Sequence, residues 1–354
     1  MAVADELRAS GAEVSFIGTR ERIEAELVPA AGYEIDFAEV RGIDRRNPLR
    51  AARAGLEALA AIAAARRVLR QRQADVVMGG GGFVAGPAGV AASLTRTPLV
   101  LTEADSHLGL ANRLLAGRAR RVCLAFPIEG REGERYLLTG RAVPKAVIGA
   151  DRDAARERFG IPAGARCLLV MGGSQGARSV NLAAIEAFAE RGPGADGDLS
   201  PRPAEERDFH VLHLTGHRDY PELKKRLAAA PHAERYTLIA YEPDLGAVLA
   251  ASDLVIGRSG GSIFEVVAAG RPAILVPYPH ATADHQRGNA EWMRAAGAAL
   301  VVPDVDLNSE ELRRDVGDLL DDPARLERMG AASRALAKPD AARRIADEVL
   351  GAAK

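Results

Sequence analysis

The chain has 354 residues, 47% of them hydrophobic and 27% charged, with 47 Lys and Arg against 48 Asp and Glu. That length supports two domains with real cores, and that balance excludes a disordered chain and gives no global attraction to nucleic acid, so no nucleic-acid partner is expected. No apolar run of about eighteen residues predicts a spanning helix, the N-terminus lacks the apolar core of a signal peptide, and Cys123 and Cys167 sit far apart in strand-like runs, as buried thiols rather than a disulfide pair.

Ala2 to Ser10 reads as a helix closed by Gly11, and Glu13 to Ile17 as a strand. In an α/β alternation a strand precedes such a helix, so a segment upstream of Met1 is expected. A helix from Arg20 to Leu27, a strand at Ile35 to Val40 and a long helix from Pro48 follow. Nine arginines from Arg41 to Arg72 face only Asp44 and Glu57, while Leu49, Ala52, Leu56, Leu59 and Ala63 recur at helical spacing. Two readings fit: a membrane-surface element, or a core-facing helix with a solvated basic face. Asp75 to Met78 is a short strand running into Gly79 to Gly82, a glycine run that packing does not require and that suits close backbone approach by a ligand. It lacks dinucleotide-fingerprint spacing, which argues against a nicotinamide enzyme. The strand Pro98 to Leu101 then empties into Thr102-Glu103-Ala104-Asp105-Ser106-His107 before a helix over Leu108 to Leu115. Two carboxylates and an imidazole at a strand end are placed for acid–base work, with helix capping by Asp105 or Ser106 as the alternative.

The pattern loosens over Arg141 to Asp153, which marks a domain boundary. The strand Cys167 to Met171 turns through Gly172-Gly173-Ser174-Gln175-Gly176-Ala177-Arg178 into a helix over Val180 to Glu190; Ser174 can bond a phosphate there and Arg178 can pair with one. Residues from Gly192 to Asp208 read as a surface loop. His210, His213 and His217 share no strand or helix face and have no completing ligand, so a metal site is not expected. Strands follow at Tyr236 to Ala240 and Leu254 to Ile256, the second leading through Gly257-Arg258-Ser259-Gly260-Gly261-Ser262 into a helix from Ile263 to Ala269. Gly260 and Gly261 admit a ligand to the backbone, Ser262 can cap, and Glu265 can accept from a sugar diol, a combination suited to a nucleotide diphosphate. The strand Ala273 to Pro277 opens into the polar stretch Tyr278 to Asn289.

Together, Gly79 to Pro87, Glu103 with Gly109 and Asn112 beyond it, Gly172 to Arg178, Arg258 to Glu265, and Pro277 to Asn289 resemble the MurG family, the N-acetylglucosaminyltransferases that make lipid II at the inner face of the bacterial membrane. The resemblance covers nearly the whole chain, and Gly-Gly-Ser-Gln-Gly-Ala-Arg is its most specific run. It implies an α/β fold of GT-B type, two Rossmann-like domains whose parallel sheets face each other across a cleft. Residues 1–150 would form the acceptor and membrane-facing domain, 151–338 the donor domain, and a helix at about 340–352 would pack back on the first.

The implied reaction is inverting transfer of N-acetylglucosamine from UDP-N-acetylglucosamine to an undecaprenyl-linked acceptor, lipid I, without cofactor or metal. The implied location is peripheral, on the cytoplasmic face of the membrane, with the basic stretch 45–72 toward the lipid. The resemblance points to Ser174, Gln175, Gly176 and Arg178 for the donor diphosphate. It points to Arg258, Ser259, Gly260, Gly261, Ser262, Ile263 and Phe264 for the nucleotide turn, with Glu265 on the ribose, Glu242 where backbone holds uracil, and His285 with Gln286 on the sugar. Gly80, Gly81, Gly82, Phe83 and Asn112 fall on the acceptor side. Glu103 or His107 is the candidate base, from its strand-end position.

Three departures stand out. The chain begins just after the place of the family's first strand and its Gly-Gly-Thr-Gly-Gly-His loop, Asp105 replaces an Asn of the donor site, and Pro144 replaces an Arg. The alternatives are a related GT-B enzyme with another UDP-sugar or lipid acceptor, and a non-catalytic UDP-sugar-binding paralogue.

Overall fold

Short aliphatic runs with both faces buried make parallel strands, and helices between them cover the faces. A computed structural model describes residues 1–38, 48–173, 176–191, 209–281 and 284–353, without the side chains of 48–56 and Phe83. The chain divides into two units, Met1–Ala142 with Lys338–Lys354, and Val143–Ala337.

Unit 1 begins α1 (Ala2–Ala9), β1 (Ser15–Gly18), α2 (Glu24–Ala30), β2 (Glu34–Phe37) and α3 (Pro48–Gln71). It continues β3 (Val77–Gly79), α4 (Gly82–Thr95), β4 (Leu99–Glu103), α5 (Leu110–Leu115), β5 (Arg121–Leu124) and β6 (Tyr136–Leu138). β1 pairs with β2, and β3, β4, β5 and β6 form a second sheet in that order, every pairing parallel. The core lies between α3, α4, α5 and the second sheet, around Leu69, Ala91, Leu101, Leu115 and Val122.

Unit 2 comprises α6 (Lys145–Ile148), α7 (Arg152–Arg158), β7 (Arg166–Met171), α8 (Arg178–Ile185) with a π-helical turn to Glu190, β8 (Phe209–Leu214), α9 (Tyr220–Ala228) and β9 (Tyr236–Ile239). Then come α10 (Leu245–Ala251), β10 (Leu254–Gly257), α11 (Ile263–Ala268), β11 (Ala273–Leu275), α12 (His285–Ala295), β12 (Ala299–Val301), α13 (Ser309–Leu320) and α14 (Pro323–Leu336). Its six strands are parallel in the order β12-β11-β10-β7-β8-β9, a doubly wound sheet with the order reversing between β7 and β10. Side-chain caps set several helix starts: Asp151, Asp244, Asn308 and Asp322 each accept from an amide in the first turn.

The last helix, α15 (Ala341–Ala353), lies in unit 1, where Ala342, Ile345, Ala346, Val349 and Ala352 share a core with Val3, Leu7, Val100 and Cys123. The units divide at Ala142 rather than near residue 150 because α6 belongs to unit 2. A Cβ on Gly246 of α10 would lie 2.6 Å from the Ala146 carbonyl, so the two helices are in backbone contact. Both cysteines are buried, and burial pushes each thiol up to about 12.

Candidate functional site

In a doubly wound sheet ligands bind at the carboxyl ends of strands where the order reverses. In unit 2 that point lies between β7 and β10, and it joins the two glycine turns that stand far apart in sequence. Gly257, ending β10, is so close to β7 that a Cβ there would lie 2.9 Å from the Met171 carbonyl. Gly172 and Gly257 therefore open turns on neighbouring strand ends. The next strand, β11, delivers the Tyr278 to Gln286 stretch to the same edge: Gln286 accepts from the Tyr278 amide at 3.0 Å, and its Nε2 lies 3.6 Å from the position of a Cβ on Gly260. The turns that carry Gly176, Gly260 and Gly261 thus lie with Gln286 at one edge of the sheet, and Glu265 stands in the first turn of α11, which follows the β10 turn. Ser174 and Gln175 lie outside the described residues.

Several polar side chains expected to face a ligand are instead held by the fold. The Arg258 guanidinium donates to the Val276 and Pro277 carbonyls at 3.1 and 3.3 Å, to Asp304 at 2.6 Å and to the Ser179 hydroxyl at 2.8 Å, and lies over the Tyr278 ring. It buckles β10, α8 and the segment after β12 together. The Ser259 hydroxyl is fully buried and donates to the Gln286 carbonyl at 2.6 Å, while Asn289 donates to the Ser259 carbonyl at 3.0 Å, which fixes α12 against the β10 turn. Ile263 and Phe264 point into the core, and their amides close turns on Gly260 and Gly261. Ser262 already has helical φ and ψ and makes no capping bond, in contrast to the expected cap, because an N-cap needs extended backbone to turn its hydroxyl onto the next amides. Arg178 is paired with both oxygens of Glu222 at 2.8 and 3.0 Å, which raises its pKa above that of a free guanidinium. Glu242 accepts from Arg158 at 2.7 Å and from the Asp244 amide at 2.9 Å, leaving the neighbouring Tyr241 exposed and stacked on His217. His285 is half-buried at the start of α12.

In unit 1 the ends of β3 and β4 lie together: Thr102 donates to the Gly79 carbonyl at 3.4 Å, and its hydroxyl lies 3.8 Å from the Cβ position of Gly80. Gly79 is a packing position, since a Cβ there would lie 2.8 Å from Leu101, whereas Gly81 and Gly82 have φ of 82° and 77° with open space around them among the described residues. Backbone conformation thus explains that pair. Glu103 is buried, and four N–H groups converge on it. Oε1 accepts from the amides of Ala104 and Asp105 at 3.0 and 3.2 Å, and Oε2 from the Gly109 amide and the Asn112 side chain at 2.8 and 2.9 Å. Asn112 is also buried and donates to the Thr102 carbonyl at 2.9 Å. Glu103 and the Asn112 Nδ2 group fix the loop that carries Asp105 and His107, which are half-buried, while Asn112 Oδ1 is buried with no hydrogen-bond partner among the described residues. Each carboxylate oxygen of Glu103 already accepts two hydrogen bonds, which is not the arrangement expected of a free base.

Residues 41–47 lie outside the described part of the basic stretch, as do the side chains through residue 56. Beyond them α3 turns Ala61, Ala65 and Leu69 inward, so Leu59, 63% exposed, stands outside with Ala63, Arg67 and Arg70. Arg72 pairs with Asp36 and Glu34 of β2.

Of the three histidines, His210 meets the Thr237 hydroxyl at 2.7 Å, and His213 is wholly buried between Tyr236 and Asn181. Sequence reasoning missed Ser179, Asn181, Asp219, Tyr236, Asn289 and Asp304 as supports of the site. Asn181 carried a signal, a polar residue on the apolar face of a helix between Val180 and Ala184.

Residues 1–124 match the glycosyltransferase family 28 N-terminal domain and residues 167–345 its C-terminal domain. A Moorella thermoacetica protein described as UDP-N-acetylglucosamine–N-acetylmuramyl-(pentapeptide) pyrophosphoryl-undecaprenol N-acetylglucosamine transferase is 38% identical over 96% of this chain and 91% of its own length. One from Nitrosococcus oceani with the same description is 38% identical over 99% and 93%. The crystal structure of Acinetobacter baumannii MurG superposes with a TM-score of 0.77 at 26% identity, covering 99% of this chain and 94% of that one. A Neisseria meningitidis UDP-GlcNAc 2-epimerase, at TM-score 0.66 and 14% identity over 99% and 95% of the two chains, shares the fold.

Proposed function

The chain belongs to glycosyltransferase family 28, with two Rossmann-like, parallel-sheet domains of GT-B type, and from that membership we infer that it is an inverting hexosyltransferase. It moves N-acetylglucosamine from UDP-N-acetylglucosamine to lipid I and so forms lipid II for peptidoglycan synthesis. The observation that carries this conclusion is that the likeness to transferases of that activity runs through both units rather than through one half alone.

The donor diphosphate belongs at the β7 and β10 turns, beside Gly176 and Gly260, where backbone can approach closely. Glu265 takes the ribose, and His285 with Gln286 the transferred sugar. The backbone beside Glu242 takes the uracil. Arg258, Ser259 and Asn289 act from behind by holding these turns in register. On the acceptor side the Gly80 to Gly82 run meets the lipid diphosphate. The acceptor's hydroxyl attacks the anomeric carbon in line, its proton passes to His107, and UDP departs with its new charge met by amide donors. Glu103 and Asn112 position the His107 loop.

Among the described residues no helix is long and apolar enough to cross a membrane. Peripheral attachment at the cytoplasmic face is supported by Leu59, Arg67 and Arg70, all exposed along α3 over about three turns, an apolar and basic surface suited to anionic headgroups.

The test combines purified protein, UDP-N-acetylglucosamine labelled in the sugar, and a soluble lipid I analogue. One labelled disaccharide of inverted anomeric configuration should form per UDP released, and chelation should leave the rate unchanged. Tight UDP binding without transfer would favour a non-catalytic binding protein, and preferential use of another UDP-sugar a different transferase. Flotation with anionic vesicles, weakened by salt and by Leu59→Ser with Arg67→Ser and Arg70→Ser, tests the membrane surface.

A further inference from the structure

Four buried polar side chains form a relay behind the β7 turn that the reaction itself does not use. His213, on β8, is fully buried; its Nδ1 lies 2.6 Å from the Tyr236 hydroxyl and its Nε2 3.0 Å from Asn181 Oδ1. Asn181 Nδ2 donates to the Thr215 carbonyl at 2.9 Å and to Asp219 Oδ2 at 2.8 Å. Those two acceptors form the wall on which Gly176 rests: with φ of 80°, a Cβ there would lie 2.8 Å from the Thr215 oxygen and 3.1 Å from Asp219 Oδ2. The backbone N–H of Asn181 donates to the Ala177 carbonyl at 2.8 Å, the first bond of α8, so the residue that carries the side-chain amide stands in the helix turn next to Gly176.

Only one proton arrangement of the neutral ring satisfies this set. The Thr215 carbonyl and the Asp219 carboxylate accept only, so the amide nitrogen of Asn181 faces them and its oxygen faces His213. Nε2 must then carry the ring proton, and Nδ1 accepts from the Tyr236 hydroxyl. Burial supports the neutral state by pushing the imidazole down to about 3.

We propose that His213 is a positioning residue for the donor diphosphate: as the Nε2–H tautomer it locks the Asn181 amide, and through it the wall behind Gly176 at the start of α8. A core role alone would satisfy His213 anywhere in the sheet; here the satisfied chain ends on the backbone that the transferase reading, on which this inference rests, places against the diphosphate. Without a donor at Nε2, the buried Asn181 oxygen loses its partner, the amide turns to find another, and its hold on Thr215 and Asp219 is lost.

Two replacements separate the ends of the ring. His213→Gln puts an N–H near Nε2 and keeps the bond to Asn181; His213→Asn keeps an acceptor near Nδ1 for Tyr236 and drops the Asn181 bond. UDP affinity by calorimetry, KM and kcat for UDP-N-acetylglucosamine, and melting temperature are measured for both. We expect His213→Asn to weaken UDP binding and raise KM about tenfold or more, with His213→Gln within about threefold of the parent. Unchanged UDP affinity in folded His213→Asn, or equal losses in both variants that track their melting temperatures, overturns the inference. Histidine ¹⁵N spectra of the unmodified protein test it without relying on a variant's folding: a ring protonated on Nε2 is expected, and one protonated on Nδ1 overturns it. An unmodified protein that binds no UDP overturns the transferase reading and the inference together, whereas one that binds UDP leaves the variant comparison to judge the inference alone.

Discussion

Glu103 illustrates how a carboxylate at a strand end can serve geometry rather than proton transfer. Its oxygens are saturated by three backbone amides and one side-chain amide. A glutamine there offers one acceptor oxygen and turns its NH2 toward two N–H donors, each costing about 1–3 kcal/mol when left unsatisfied. Glu103→Gln is therefore expected to lower the melting temperature and to reduce kcat by about ten- to a hundredfold while keeping the shape of the pH–rate profile. Loss of a limb of that profile would return Glu103 to the role of base. His213 supplies a second prediction at this scale. Burial depresses its pKa from 6.5 to about 3 in the folded chain, so the unfolded chain binds one more proton between those values. Its stabilising contribution is complete above 6.5 and is lost as pH falls toward 3, at up to about 1.4 kcal/mol per pH unit. Urea unfolding from pH 6.5 to 4.5 should show a slope shallower by up to one proton in His213→Gln.

At the scale of elements, the site is a set of turns kept in register by residues that do not touch the ligand. Arg258 is the clearest case, with its guanidinium shared among two carbonyls, a hydroxyl and the Asp304 carboxylate. Removing it leaves Asp304 partly buried without its charge partner, a loss of about 3–5 kcal/mol for a buried pair and less here because the site is not sealed. Arg258→Ala should lower stability and raise KM for the donor, and Arg258→Lys should rescue little, since one ammonium cannot span the four partners. Urea melts and donor titrations check both. The strand–glycine–helix units were legible because the turn chemistry is local: a run such as Gly172 to Gly176 between an aliphatic strand and a helical stretch has few other uses. The facing of individual side chains was not legible. Arg258 and Ser259 sit in the same turn as Gly260 and Gly261, and nothing local separates the pair that braces the fold from the pair that opens to solvent. The apolar stripe of α3 went the same way. Leu59 and Ala63 sit at helical spacing yet lie outside, because the inward face is set by Ala61, Ala65 and Leu69 against α4 and its sheet.

For the molecule as a whole, α15 ties the end of the chain to its beginning. Ile345 and Val349 lie among Val3, Leu7, Val100 and Cys123, and Glu348 pairs with Arg121 at 3.0 Å. Each large aliphatic side chain buried there contributes about 1.5–3 kcal/mol, and the half-exposed ion pair about 1 kcal/mol at most. Ending the chain after Pro339 should destabilise unit 1 by several kcal/mol and leave unit 2 intact. Calorimetry should then show the unit 1 transition shifted down or lost beside an unchanged second one; equal shifts in both would refute this. The amino-acid sequence by itself determined the α/β class, the family and the turns from which a nucleotide site is built, because periodicity and glycine chemistry act over a few residues. Only the tertiary structure decided that β7 and β10 are neighbours, that Glu103 is saturated, and that Asn181, His213 and Tyr236 form one chain. Hydrogen-bond partners depend on which distant strands pair and in what register, and no local pattern carries that choice.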